Sequence, residues 1–255
     1  MIKNVDLQGK NSANRFYSGG RLLGRGIAKT VVNAILYLFC ASYIYIFVWL
    51  IMNTLKDRPT FSTSTFSFPL HLYLGNYKGI FTGGDFFTSL FNSLFNTVIS
   101  MILVLIFSFV VAYFLSRYTF RGRNFLYGFF LIGMLMPLLS LLIPMYIQFH
   151  ILGLTNSRFT LLFPYIAFNM PVAIYLFDSY MRGIPRSIEE AAYVDGASVN
   201  YIMTKIMFPL CMPIMGTILV LDFMGIWNEF PFALVLASQP QFRTIPIWLA
   251  NLSMS

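Results

Sequence analysis

The sequence predicts an all-α membrane protein, a polytopic helical bundle of five spans with a cytoplasmic N-terminus. Three observations carry that reading. Of the 255 residues, 58% are hydrophobic and only 10% are charged, whereas a soluble domain carries roughly 25% Asp, Glu, Lys and Arg. Five apolar runs are long enough to cross a hydrocarbon core of about 30 Å, which takes roughly 20 helical residues. The basic residues concentrate on one side of those runs. A surface with so few charges is insoluble in water, which excludes a soluble enzyme and a disordered tail. The net charge of +8 is then topology rather than a nucleic-acid footprint.

Residues 1–30 form a basic N-terminal segment, and residues 31–255 read as one membrane domain. The first run, Val31 to Met52, is uncharged. Its length and the polar stretch before it make it an uncleaved anchor rather than a signal peptide. The outward loop from Asn53 to Thr88 holds Pro59, Pro69, Gly75, Gly79, Gly83 and Gly84, and reads as irregular with short elements. The second run, Leu94 to Leu115, is also uncharged. The third, Asn124 to Phe149, contains Pro137 and Pro144, and the fourth, Phe159 to Phe177, contains Pro164 and Pro171. Membrane helices tolerate proline because neighbours satisfy the freed carbonyls, so simple kinks and a gating role both stay open. The fifth run, Pro209 to Leu236, carries two acids, Asp222 and Glu229.

Orientation follows from Lys and Arg, which stay on the cytoplasmic side. Lys3, Lys10, Arg15, Arg21, Arg25, Lys29, Arg117, Arg121, Arg123, Arg182, Arg186 and Lys205 fall on the N-terminal side of the bundle. Only Lys56, Arg58, Lys78, Arg158 and Arg243 fall on the other. The N-terminus is therefore expected in the cytoplasm.

The cytoplasmic loop over residues 183–209 is unlike a mere connector. Pro185 suits a first helical turn, where its missing N–H costs nothing. Ser187 and Glu190 have capping-box spacing, and Gly196 suits the left-handed position that ends a helix. From about Ser198 a second helix follows, with Val199, Ile202, Met203 and Ile206 on one apolar stripe. The pattern predicts two short helices joined at a sharp bend lined by small side chains. A helical hairpin lying on the membrane surface fits the same pattern.

The residues Glu190-Ala191-Ala192, Gly196, Ile206 and Pro209 resemble the EAA loop of ABC importer permeases, departing only at Phe208, where that family has Leu. Further segments agree: Asn92-Ser93, Ala112-Tyr113, Arg117-Tyr118, Phe120-Arg121-Gly122-Arg123, Pro137, Pro144-Met145-Tyr146, Leu152-Gly153-Leu154 and Trp227-Asn228-Glu229-Phe230. Together they resemble the second permease subunit of the carbohydrate-uptake, maltose-type group over nearly the whole chain. The resemblance implies a transport subunit of a prokaryotic cell membrane, not an enzyme. It implies a second homologous permease, two ATPase subunits that hold ATP and magnesium, and an extracytoplasmic sugar-binding protein. It also implies that Glu190, Ala191 and Gly196 dock on the ATPase with Ala192 and Asp195 beside them, while Ile206 and Pro209 complete the motif. No cofactor is expected on this chain. Its one Gly-Lys pair, Gly9-Lys10, is followed by Asn11, so the phosphate-loop pattern is missing. The resembled permeases have a sixth span, expected here beyond Ser255.

Asp222 and Glu229 are seven apart and share a helix face. An acid at membrane depth costs about 2.5–3.5 kcal/mol, so both are expected to face the bundle interior or water. Bonds to helices of this chain or its partner permease, a place on the translocation path, and a proton relay are three readings of them. Asn169 and Asn228 are weaker path candidates. The alternative function is an ion-coupled secondary transporter or channel using Asp222 and Glu229, and a third reading is a membrane scaffold whose hairpin recruits a cytosolic protein. Cys40 and Cys211 both lie in apolar runs, and His71 and His150 have no ligand-spaced partners, so no metal site is expected. The segment from Ala237 to Ser255 faces outward. In the resembled family it reaches towards the binding protein, and an ordinary exposed loop reads the same.

Overall fold

The computed structural model describes the backbone of residues 5–69 and 71–254, and the side chains of 29–69 and 71–252. Among these residues the fold is helical, with no strand. The chain divides into two compact units, 1–80 and 81–255.

The first unit holds α1 (Val5–Thr54), α2 (Arg58–Thr63) and the start of α3 (Gly75–Thr82). Asp57 caps α2 by accepting the Thr60 N–H at 3.3 Å. The buried Lys56 ammonium donates to Asn53 Oδ1 and to the carbonyls of Ser64 and Thr65, which closes the loop over α2.

The second unit continues with α4 (Asp85–Arg117), α5 (Arg123–Leu135) and α6 (Leu142–Ile151), the last preceded by a 3₁₀ turn over Leu138–Leu141. Next come α7 (Leu162–Arg182) and α8 (Ser187–Val194). Then α9 (Val199–Tyr201) runs through a π-helical stretch, Ile202–Met207, into α10 (Phe208–Leu210). The remaining helices are α11 (Met212–Trp227), α12 (Pro231–Leu236) and α13 (Ile245–Met254).

By length and apolarity, Lys29–Thr54 within α1 and the whole of α4 are able to cross a bilayer singly. Two bent pairs raise the number to four if each crosses once. Against the five expected spans, length and apolarity thus support two to four among the described residues, with bends at the prolines of the third and fifth runs. The third run is α5 and α6, with 96° between Arg123–Leu135 and Leu138–Ile151. The cause is Pro137, which has no N–H to donate and pushes Met136 into extended backbone (φ −72°, ψ 125°). The fifth run starts beyond a 71° bend between Val199–Leu210 and Met212–Trp227, then breaks again before α12. Pro209, Pro213 and Pro231 each remove a donor near these breaks. The fourth run is α7, which holds Asn169, Pro164 and Pro171 and does not meet the same criterion of length and apolarity.

The core of this unit forms where α4 and α7 pack along one another. Val104, Phe109, Ala112 and Tyr113 of α4 meet Ala173, Ile174, Phe177 and Met181 of α7, with Ile202, Met207, Cys211 and Ile218 closing the cluster. The apolar stripe of residues 199–206 faces this core: Ile202 is fully buried, and Val199, Met203 and Ile206 pack against it. A second cluster gathers Phe149, Leu161, Tyr165, Ile226, Phe232, Leu236 and Ile247. Helix α4 contains neither glycine nor proline over 33 residues. Ser89, Asn92, Ser93, Asn96, Thr97 and Ser100 make one of its faces polar as well as buried, at helical spacing.

Candidate functional site

The loop over 183–209 folds as a helical hairpin whose bend is set by glycine. Gly196 has φ +80°. Its N–H donates to the Tyr193 carbonyl at 3.0 Å, and the Ala197 N–H donates to the Ala192 carbonyl at 2.9 Å. These two bonds are a Schellman ending for α8. Ser198 then caps α9 by accepting the Tyr201 N–H at 3.3 Å. One detail differs from the spacing-based expectation. The N-cap of α8 is Arg186, with no side-chain cap bond, and Ser187 is already inside the helix. Pro185 fixes the entry instead, its carbonyl accepting the Ile188 N–H.

Of the two adjacent acids, the structure buries Glu189 and exposes Glu190. Arg117, at the end of α4, approaches Glu189 Oε1 through Nε at 2.5 Å, both side chains being under a tenth exposed. The approach is an ion contact outside hydrogen-bond alignment. The Tyr113 hydroxyl donates to Glu189 Oε2 at 3.1 Å, and Arg117 Nη2 donates to the Ile184 carbonyl at 3.1 Å. On the surface, the Tyr118 and Tyr193 hydroxyls share a hydrogen bond of 2.8 Å. That bond, with some burial, raises the Tyr193 phenol above its ordinary pKa. Arg182, at the end of α7, donates through Nε to the buried Asp178 at 2.9 Å, which raises the guanidinium's own pKa.

Apart from the Tyr193 hydroxyl bond, the hairpin's outer face mixes small and apolar groups. Ala191, Asp195, Gly196 and Pro209 are exposed, while Ala192 and Ile206 are half-buried against the core. Val194 is 87% exposed, with Ile188, Tyr193 and Tyr201 also open. A cavity of about 130 Å³ between α4 and α8 is lined by Arg117, Tyr118, Arg186, Glu189, Glu190 and Tyr193. Sequence reasoning missed Glu189, Arg117 and Tyr113. Arg117 at the end of an apolar run reads as a topology charge, and nothing in the spacing says which adjacent Glu turns inward.

The polar candidates in the bundle are not gathered into one site. Asp222 is 3% exposed, and its Oδ2 has no hydrogen-bond partner. Glu229 accepts the Tyr165 hydroxyl at 2.9 Å and the N–H groups of Phe232 and Ala233 at 2.7 and 3.1 Å. It therefore serves as the cap of α12, satisfying donors that a helix start leaves open. Asn169 donates to the Tyr165 carbonyl at 2.7 Å, and its Oδ1 lies 3.5 Å from where a Cβ on Gly225 would sit. Asn228 is exposed and donates to the Met224 carbonyl at 2.9 Å. No group of three or more His, Cys, Asp or Glu able to hold a metal occurs among the described residues. Glu229→Ala is expected to release the start of α12 at a cost of about 1–3 kcal/mol, the price of stranding buried donors. Thermal melting of the purified chain checks it, and an unchanged midpoint would count against the capping role.

Helices long and apolar enough to cross a bilayer, with a two-helix element following α7 in the second unit, define a membrane transport component. The family described as "Binding-protein-dependent transport system inner membrane component" matches residues 108–255, and the chain belongs to it. It is similar to the diacetylchitobiose uptake system permease protein NgcG of Streptomyces coelicolor, 29% identical over 78% of this chain and 66% of the relative. It is also similar to the trehalose transport system permease protein SugB of Mycobacterium tuberculosis, 30% identical over 82% of this chain and 76% of the relative. Among solved structures it resembles a bacterial ABC transporter involved in the import of the acidic polysaccharide alginate. That match has a TM-score of 0.76 and 28% identity, covering 87% of this chain and 78% of that one. The chain is thus an ABC importer permease, a transport component rather than an enzyme. The ion-coupled transporter or channel built on Asp222 and Glu229 is not supported. Glu229 in particular has both carboxylate oxygens occupied, by the Phe232 and Ala233 N–H groups at the start of α12 and by Tyr165.

Proposed function

We propose that this chain is one of two homologous membrane subunits of a carbohydrate importer, multi-pass in a prokaryotic cell membrane with its N-terminus in the cytoplasm. One observation carries the substrate class. Relatives whose similarity covers 78% to 87% of this chain take up diacetylchitobiose, trehalose and alginate, all of them glycans. The placement of Lys and Arg supports the orientation.

In this reading the hairpin over 183–209 docks on one of two cytoplasmic ATPase subunits, which hold ATP and magnesium. The small side chains of Ala191 and Gly196 admit the partner surface close to the backbone. Glu190 and Asp195 supply acids at the rim, and Val194 and Tyr201 supply apolar area. Ala192, Ile206 and Pro209 hold the hairpin's shape. Closure of the ATPase pair moves the hairpin as a rigid body, and the helices behind it re-pack so that the path opens to an extracytoplasmic sugar-binding protein. Asn169, Asp222, Asn228 and Glu229 are the polar groups near that path.

The test is reconstitution of the chain with its second permease, ATPase and binding protein, assayed with labelled trehalose, maltose and diacetylchitobiose. ATP-dependent uptake of at least one is expected. Uptake driven by an ion gradient without the ATPase subunit, or ATP-dependent import confined to non-carbohydrate solutes, would overturn the proposal.

A further inference from the structure

Helix α4, long and apolar enough to cross a bilayer, is tied at each of its two ends to a different segment of the chain. At one end Arg117 contacts Glu189 at 2.5 Å and donates to the Ile184 carbonyl at 3.1 Å. Tyr113 and Tyr118 add hydroxyl bonds to Glu189 and Tyr193 at 3.1 and 2.8 Å. The coupling hairpin is thus held at two points along its first helix, Glu189 and Tyr193, and at Ile184 just before it. At the other end the buried Asn92 donates through Nδ2 to the carbonyls of Gln241 and Arg243 at 2.9 and 3.0 Å. Ser93 Oγ accepts the Ile245 N–H at 2.8 Å. Arg243 Nε returns to the Ser238 carbonyl at 3.1 Å and closes the segment on itself.

Asn92 and Arg117 are 25 positions apart, about 38 Å along a helix axis. No glycine or proline interrupts that stretch, whereas α5, α7 and α11 all contain one or the other. Sharp kinks arise at proline, at Gly/Ser pairs, at π-bulges or where a side chain or water enters the hydrogen-bond ladder. Helix α4 has no proline, glycine or π-helical turn and runs unbroken from Asp85 to Arg117. Both attachments are buried and polar, so each has a fixed geometry and a high cost of breaking.

We propose that α4 is a rigid strut that fixes the coupling hairpin to the outward segment 239–245, so that motion imposed at the ATPase side reaches the opposite face without being absorbed in between. Arg117, Glu189 and Asn92 are positioning residues in this device. The inference rests on the importer reading, because it needs an ATPase at the hairpin.

Spin labels on Ser187→Cys and Gln241→Cys, with Cys40→Ser, report the length of the strut in the assembled importer. Their separation is expected to change by less than about 3 Å between nucleotide-free and ATP-trapped states, well under one helical turn. A larger change would overturn the strut. Failure of the ATPase subunits to assemble with the chain would instead overturn the importer reading. A second measurement separates coupling from folding. The triple variant Arg117→Met, Glu189→Met and Tyr113→Phe removes the buried charges together, and Asn92→Leu removes the outer clamp. Each is expected to lower uptake roughly tenfold, within the usual range of inter-site coupling. Combined, they are expected to lower it no further, since both cut the same link. Independent distant sites have additive effects, so a combined loss near a hundredfold would overturn the strut.

Discussion

Glu189→Ala is expected to destabilise the folded chain by about 3–5 kcal/mol, the cost of leaving a buried charge without its partner. Its carboxylate is the only acid in ion contact with Arg117 among the described residues, and both side chains are under a tenth exposed. The hydroxyl of Tyr113, itself 0% exposed, loses its acceptor in the same step. The burden falls on the guanidinium, which is always charged and is left facing the apolar core of Met181, Met207 and Cys211. Removing both charges should behave differently. Arg117→Met with Glu189→Met and Tyr113→Phe leaves no orphaned charge, and buried pairs replaced by apolar groups are often neutral. Thermal melting in detergent should therefore show a large drop for Glu189→Ala and a much smaller one for the triple variant. Equal midpoints for Glu189→Ala and the unmodified chain would show that the pair carries no such load. The same substitution at the neighbouring Glu190 should leave the midpoint almost unmoved, because its side chain is exposed.

Gly196→Pro should abolish association with the ATPase while the chain stays inserted in the membrane. The backbone there has φ +80°, whereas proline is locked near −65°. Proline also removes the N–H that donates to the Tyr193 carbonyl. The local cost is about 3 kcal/mol or more. It falls on a bend of two hydrogen bonds at the end of an exposed hairpin, not on the α4 and α7 core. The hairpin is therefore re-aimed rather than the bundle unfolded. Gly196→Ala keeps the N–H and carries only the left-handed penalty of about 1–2 kcal/mol, so it should weaken docking without ending it. Co-purification of the ATPase subunits and ATP-dependent uptake check both variants. Normal co-purification with Gly196→Pro would remove this bend from the docking surface.

The hairpin was readable in advance because its determinants are local. Pro185, Gly196 and Ser198 act on their own backbone within a turn, and the apolar stripe of residues 199–206 announces its core face by spacing alone. Glu189 was not readable, since helix periodicity separates faces by about 100° per residue but does not say which face meets Arg117, 72 positions earlier. The breaks in the third and fifth runs were only half legible. Their prolines are visible, but the angle at each depends on what packs against the freed carbonyls. Glu229 shows the same limit. Its acid at membrane depth announces a polar environment, and only the fold reveals that the environment is the start of α12 and the Tyr165 hydroxyl.

The amino-acid sequence by itself determined the solvent of this protein, its helical class, the family to which it belongs and the position of its protruding hairpin. Those properties follow from composition, from hydrophobic run length and from turn residues, each acting over a few neighbours. The tertiary structure alone decided which of two adjacent acids is buried, where the spans bend, and that one unbroken helix joins the hairpin to the far segment. Each of these depends on residues distant in sequence sharing a space too small and too apolar to leave a charge or an N–H unpaired.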